Sequence, residues 1–163
     1  TVEEVTTTID IPAGVADGMQ LNVQGRGNEM PGGVSGDLIV LIEEIKHENL
    51  ERDGNNIIYN LHVSFPQAAL GCDVEIPTVS GKARIKIESG TQSGKVLRLR
   101  GKGIPDVNGY KTGDQLVYVN VFTPKKLNNE EKKTLQQLLD SDNFTPDPTQ
   151  EKGFFDKMKE FFN

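Results

Sequence analysis

The sequence predicts an all-β chain, two β-sandwich-like domains in tandem followed by C-terminal helices, and three observations carry that expectation. First, one glycine-punctuated stretch occurs twice: Gly14, Gly18, Gly25 and Gly27 recur 76 residues later as Gly90, Gly94, Gly101 and Gly103. Each copy closes on a Gly-Asp pair, Gly36-Asp37 and Gly113-Asp114, 77 residues apart, so the intervening loop differs by one residue. Second, the segments between these glycines alternate apolar and polar residues with the period of a strand. Third, the period lengthens to that of a helix after Thr123-Pro124. Glycines that keep register across otherwise divergent copies mark backbone positions needing positive φ or a close approach. The repeat is too long for a solenoid unit of roughly 20 to 50 residues. It divides the chain into a first β domain over 1–47, a second over 48–125, and a helical segment with a linker over 126–163.

Each element follows from local pattern. Val5, Thr7, Ile9 and Ile11 alternate as a strand that Pro12-Ala13-Gly14 ends, and Met19, Leu21 and Val23 form the next. Residues 26–36, with four glycines and a proline, read as a long loop. Asp37 to Ile45 is nearly continuous in apolar residues and is expected to be a strand buried on both faces. Lys46 to Asn56 is polar around Leu50 and ends in the turn Asp53-Gly54-Asn55-Asn56. Ile57, Tyr59, Leu61, Val63 and Phe65 then mark the clearest half-buried strand. Pro66 to Gly71 reads as a single helical turn, with proline where a helix starts and glycine where one stops. Cys72, Val74 and Ile76 make a strand, Ser80-Gly81 a tight turn, and Ala83, Ile85 and Ile87 the return. Leu97, Leu99 and Leu116 to Val121 repeat the last strands of the first domain. Asn128 three residues before Glu131 resembles a capping box, opening a helix whose stripe is Leu135, Leu138 and Leu139. Residues 144–152 read as a linker, and Phe154, Phe155, Met158, Phe161 and Phe162 fall on one face of a second helix.

Composition excludes several function classes. A formal net charge of −6 argues against general nucleic-acid binding, which rests on cationic contacts to phosphate. No run approaches the roughly 18 apolar residues of a membrane span, and Thr1-Val2-Glu3-Glu4-Val5 lacks the features of a signal peptide, so a cytoplasmic location is expected. The single cysteine, Cys72, permits no internal disulfide and no multi-cysteine zinc site, and His47 and His62 have no partner at ligand spacing. Gly90 to Lys95 mimics a phosphate loop but is one residue short, with Val96 where Ser or Thr would hold magnesium. No carboxylate pair stands out from a solvated acidic surface, and nothing points to an enzyme. With no tryptophan and three tyrosines, the aromatic platform of a carbohydrate module is missing too.

Two features stand out from this background. Lys82, Arg84, Lys86, Arg98 and Arg100 concentrate positive charge in the second copy. They suit either a solvated outer sheet face or docking of an acidic peptide. The four phenylalanines and the methionine of the tail form a face too apolar to leave in water, which packs on its own domain or on a second copy of the chain, where the leucine face could join it.

Several motifs together carry a family resemblance: Ile11-Pro12-Ala13-Gly14-Val15 with Gly18, Gly36-Asp37-Leu38-Ile39-Val40, Glu51-Arg52-Asp53-Gly54, Ala69-Leu70-Gly71, Glu75-Ile76-Pro77-Thr78, Arg100-Gly101-Lys102-Gly103 and the ending Phe154 to Phe162. In order and over essentially the whole chain, they resemble the carboxy-terminal region of the bacterial DnaJ family of J-domain co-chaperones. The resemblance implies two sandwich-like client-binding domains and a dimerisation segment. It implies a chain that holds unfolded polypeptides for a DnaK-class ATPase chaperone and forms a homodimer. The family's J-domain and zinc-binding cysteine module have no counterpart in these residues, so no cofactor is expected and the sequence reads as a fragment starting just after that module. By resemblance, client segments would add along a groove at Thr7, Leu38, Val40 and Ile42. Leu135, Leu138, Leu139, Phe154, Phe155, Met158, Phe161 and Phe162 would make the dimer. A structural self-association module without client binding is the alternative.

Overall fold

The computed structural model describes residues 2–29 and 31–149. Its residues up to Thr123 form one compact unit and those from Pro124 a second. The fold is all-β with a C-terminal helix.

Two short strands, β1 (Gln20–Val23) and β2 (Leu38–Leu41), pair antiparallel into a ribbon with Gln20 opposite Leu41 and Val23 opposite Leu38. The ladder runs on past the strand end, because the Gly18 and Ile42 amides donate to the Ile42 and Met19 carbonyls, each at 2.8 Å. Next, β3 (Leu50–Asp53) turns at Gly54-Asn55 into β4 (Asn56–Ser64). The helix α1 (Phe65–Leu70) starts on a capping box: the Gln67 amide donates to Ser64 Oγ at 3.2 Å, and the Ser64 amide to Gln67 Oε1 at 2.9 Å. Gly71, at φ 85°, ends it. A hairpin of β5 (Cys72–Thr78) and β6 (Gly81–Ile87) follows, then β7 (Val96–Leu99) and β8 (Gln115–Phe122). The larger sheet runs β3-β4-β8-β7, with β8 parallel to β4 and antiparallel to β7.

Alternation decides which side chains meet. Leu61 and Val63 of β4, Ala68 of α1, Ile76 of β5, Ile87 of β6, and Val117 and Val119 of β8 form one buried cluster. The sheet and the hairpin therefore make two layers over a shared core, the sandwich expected of the second copy. Full burial of each such aliphatic side chain contributes roughly 1.5–3 kcal/mol. Cys72 packs half-buried against this cluster as a small hydrophobe. Beyond Thr123, α2 (Asn129–Leu138) carries the expected box: the Glu131 amide donates to Asn128 Oδ1 and the Asn128 amide to Glu131 Oε1, both at 2.8 Å.

Three expectations need correction. Residues 2–11 form no strand, for they enter no ladder, although Thr7 and Ile9 are half-buried and their neighbours exposed. The apolar run from Asp37 is a strand only over Leu38–Leu41, and it is not buried on both faces. Ile39 and Leu41 are 64% and 66% exposed, because a two-stranded ribbon has only one covered side. The polar stretch around Leu50 is not merely a connector. It contains β3, an edge strand that pairs with β4 across the anticipated turn. The tail positions Phe154, Phe155, Met158, Phe161 and Phe162 lie outside the described residues.

Candidate functional site

The repeated glycines build one frame twice. In the first copy the Gly25 amide donates to Asp37 Oδ1 at 3.2 Å, and Asn22 Nδ2 to Asp37 Oδ2 at 3.4 Å. In the second, the Gly101 amide donates to Asp114 Oδ1 and Arg98 Nη1 to Asp114 Oδ2, both at 2.9 Å. Gly14, Gly18, Gly25, Gly90, Gly94 and Gly101 all have positive φ, whereas Gly27 and Gly103 do not. Those last two are approached by backbone instead: a Cβ on Gly27 would lie 2.5 Å from the Asp37 carbonyl oxygen, and one on Gly103 2.5 Å from that of Asn55. The Gly101 amide, then the Arg98 guanidinium, holds the Asp114 carboxyl below its ordinary value, with slight burial opposing them.

Within this frame, Leu38, Val40 and Ile42 share one half-buried face of β2 and its continuation. Their counterparts at the offset of 77 are Gln115, Val117 and Val119, all 0% exposed beneath the hairpin and α1. Gln115 also ties sheet to hairpin, its Nε2 donating to the Pro77 carbonyl at 2.9 Å. The first copy puts apolar Leu38 at that position and has no hairpin over it among the described residues. Its second difference is an edge. β8 carries β4 on the side away from β7, whereas among the described residues β2 pairs with β1 alone, which leaves backbone donors and acceptors along one side. Val40 and Ile42 also line a groove that continues along Ile57, Ile58 and Val79. The structure does not bring Thr7 into a ladder with β2. It leaves that residue half-buried on the irregular segment ahead of the ribbon.

The basic residues divide into two sets. Lys82, Arg84 and Lys86 project from β6 while Ala83, Ile85 and Ile87 between and beyond them face the core. Opposite them in register stand Pro77, Glu75 and Asp73, and Arg84 pairs with Asp73 at 3.4 Å. Arg98 projects from β7 on the other layer, engaged with Asp114, and Arg100 is exposed just beyond the strand. On α2, Leu135 is 42% exposed and Leu138 half-buried, and the C-cap residue Leu139 is 72% exposed. No cluster of metal-ligating side chains occurs among the described residues, and no helix there is long and apolar enough to cross a membrane. Sequence reasoning missed Arg52, whose contacts are taken up below; the only signal was a charged motif, Glu51-Arg52-Asp53-Gly54.

A duplicated β frame, one copy closed over its core and the other open on an apolar face, defines the class of molecule as a tandem β module. Comparison with known proteins narrows this. The family model described as DnaJ C terminal domain matches residues 1–124, and that described as Chaperone protein DnaJ C-terminal region matches residues 129–163. The chain belongs to the DnaJ C-terminal domain family, a family of chaperones. It is similar to the chaperone protein DnaJ of Bacteroides thetaiotaomicron, 56% identical over 161 residues that cover 98% of this chain and 41% of that protein. The corresponding protein of Porphyromonas gingivalis is 48% identical over 163 residues, covering 99% and 43%. That of Streptococcus mutans is 45% identical over 157 residues, covering 96% and 42%. The chain spans about two-fifths of the length of these relatives.

Proposed function

We propose that this chain is the client-holding and self-associating region of a cytoplasmic J-domain co-chaperone, which binds non-native polypeptide and passes it to a DnaK-class ATPase. One observation carries the reading. The face of Leu38, Val40 and Ile42 is half open, whereas its counterpart in the second copy is sealed core. An extended client segment would take the place of that cover, its apolar side chains lying on the three residues and its backbone pairing along the free side of β2. Backbone pairing tolerates many sequences, and the apolar face selects those with hydrophobic side chains. By resemblance, Thr7 would border this surface. The reading assigns the chain no catalytic residue, no cofactor of its own, and no nucleic-acid or membrane partner. Lys82, Arg84 and Lys86 of β6, with Arg98 and Arg100 at β7, would offer an acidic segment of the partner chaperone a docking face, in competition with Asp73 at Arg84 and Asp114 at Arg98.

The test is anisotropy of a labelled, permanently unfolded polypeptide titrated with the 163-residue chain. Val40→Ser and Ile42→Ser together are expected to weaken binding at least tenfold, while Val34→Ser, at an exposed loop position, leaves it unchanged. Unaltered affinity in a folded Val40→Ser/Ile42→Ser chain would refute the reading.

A specific observation favours self-association as well. Leu135 of α2 and Leu139, the residue that caps it, stand one turn apart and are both exposed, Leu139 mostly so, which an isolated surface helix does not need. Together with Leu138 and the tail residues Phe154, Phe155, Met158, Phe161 and Phe162, they would form the contact between two copies. Sedimentation equilibrium of the chain beside a version ending at Lys152 tests this: a dimer becoming a monomer is expected, and an unchanged mass would remove the tail from the contact.

A further inference from the structure

Arg52 joins the two copies. Its side chain leaves edge strand β3 and is only 16% exposed. Nη2 donates to the Gly14 carbonyl at 2.9 Å, Nη1 to the Val15 carbonyl at 2.7 Å and to Glu44 Oε2 at 3.2 Å, and Nε to the Gly54 carbonyl at 2.8 Å. One guanidinium thus spans the glycine corner of the first copy, the connector after β2 and the turn of its own hairpin. The connector is tied back to the corner a second time, by the Glu44 amide donating to Asp17 Oδ1 at 2.8 Å. On the corner's other side, a Cβ on Gly14 would run into the Pro105 carbonyl oxygen, so the corner is gripped between Arg52 and the loop that contains Pro105.

The second copy explains why an arginine is needed there. Its equivalent corner docks within its own module: the Gly90 and Thr91 amides donate to the Ala68 carbonyl at 2.9 and 3.1 Å, onto the end of α1. No counterpart of α1 serves the first corner among the described residues, and the partly buried carbonyls of Gly14 and Val15 would lose free energy without donors. A planar guanidinium can satisfy two carbonyls and a carboxylate at once, whereas the compact ammonium of lysine cannot cover that spread.

We propose that Arg52 is the positioning residue that fixes the β1–β2 ribbon against the β3–β8 body, so that the two move as one piece. Resting on the client-binding reading, a second consequence follows: Arg52 sets the direction in which the face of Leu38, Val40 and Ile42 is presented.

Residual dipolar couplings on the 163-residue chain test the joint. In the unaltered chain, amides of β1–β2 and of β4 and β8 should fit one alignment tensor. In Arg52→Met they should need two, with reduced order in the ribbon, and Arg52→Lys should follow Arg52→Met because charge alone is insufficient. Unchanged methyl signals of Val117 and Val119 show that the body is still folded. If Arg52→Met does not fold, Glu44→Ala removes a single contact and should produce a smaller loss of common alignment. One shared tensor in every folded variant would overturn the joint. Client affinity on the same samples separates the two steps. At least a fivefold weakening is expected in Arg52→Met, and an unchanged affinity beside a lost common tensor would overturn the directional role while leaving the joint.

Discussion

The β1–β2 ribbon and the β7–β8 pair share a hydrogen-bond frame, yet one is open and the other is sealed. Gly18 and Gly94 donate to the carbonyls of Ile42 and Val119 at the same 2.8 Å, and Gly27 and Gly103 to those of Gly36 and Gly113 at 2.7 and 2.8 Å. What differs is the surroundings. β8 is flanked by a parallel strand and roofed by a hairpin, so Val117 and Val119 are wholly buried. Among the described residues β2 has β1 alone, so Val40 and Ile42 stay half exposed. The glycine frame therefore specifies a strand pair and its turn geometry, while burial of that pair depends on the elements added around it. The frame can thus serve as a core in one place and as a binding surface in another.

Paired substitutions sharpen this contrast, beginning with the largest effect. Gly14→Ala places a side chain at φ 89° and against the Pro105 carbonyl, whereas Gly90→Ala meets open space at φ 79°. Urea denaturation should show a loss of about 3 kcal/mol or more for Gly14→Ala, against about 1–2 kcal/mol of backbone strain for Gly90→Ala. Equal losses would deny the first corner its contact with the second copy. Next, Val117→Ala should cost about 2–3 kcal/mol, because it leaves a cavity in a sealed core. Val40→Ala should cost about 1 kcal/mol or less, since its side chain is already half in water. Asn128→Ala lies outside the repeat and should lower the stability of α2 by about 1 kcal/mol, read from faster amide exchange in its first turn.

The smallest effect concerns the aspartate of the second frame. Asp114 titrates below its ordinary value of 3.8 in the folded chain, mainly through the Gly101 amide and then Arg98. A depressed native value means that its stabilising contribution is complete above the unfolded value and disappears as the pH falls through the native one. Acid unfolding below about pH 4 should therefore shift for Asp114→Asn relative to the unaltered chain, with no difference in the pH dependence near neutrality. A stability gap between the two chains that was absent at neutral pH and opened only in acid would contradict the sign.

Much of this was legible because glycine and proline act locally. The turns at Gly54 and Ser80-Gly81, the helical turn between Pro66 and Gly71, and the capping box at Asn128 depend on neighbours within a few residues. Elements that depend on distant partners were harder. β3 has a single apolar residue, Leu50, and is a strand because β4 lies beside it. Residues 2–11 alternate like a strand yet gain no ladder. The run Leu38 to Ile42 is as apolar as a doubly buried strand, and no local pattern within it distinguishes an open face from a covered one. Resemblance places the candidate site on Thr7, Leu38, Val40 and Ile42; the repeat offset ties the last three to core residues of the second copy, whereas Thr7 enters no ladder. Arg52 escaped notice because an arginine between Glu51 and Asp53 reads as a solvated charge until its distant carbonyl partners are known.

Methyl-resolved NMR of the 163-residue chain, titrated with a permanently unfolded polypeptide, tests the central claim most directly. The account predicts saturable shifts at the Leu38, Val40 and Ile42 methyls and none at those of Val117 and Val119. Shifts confined to the second copy, or no shift in either at concentrations where anisotropy detects binding, would contradict it.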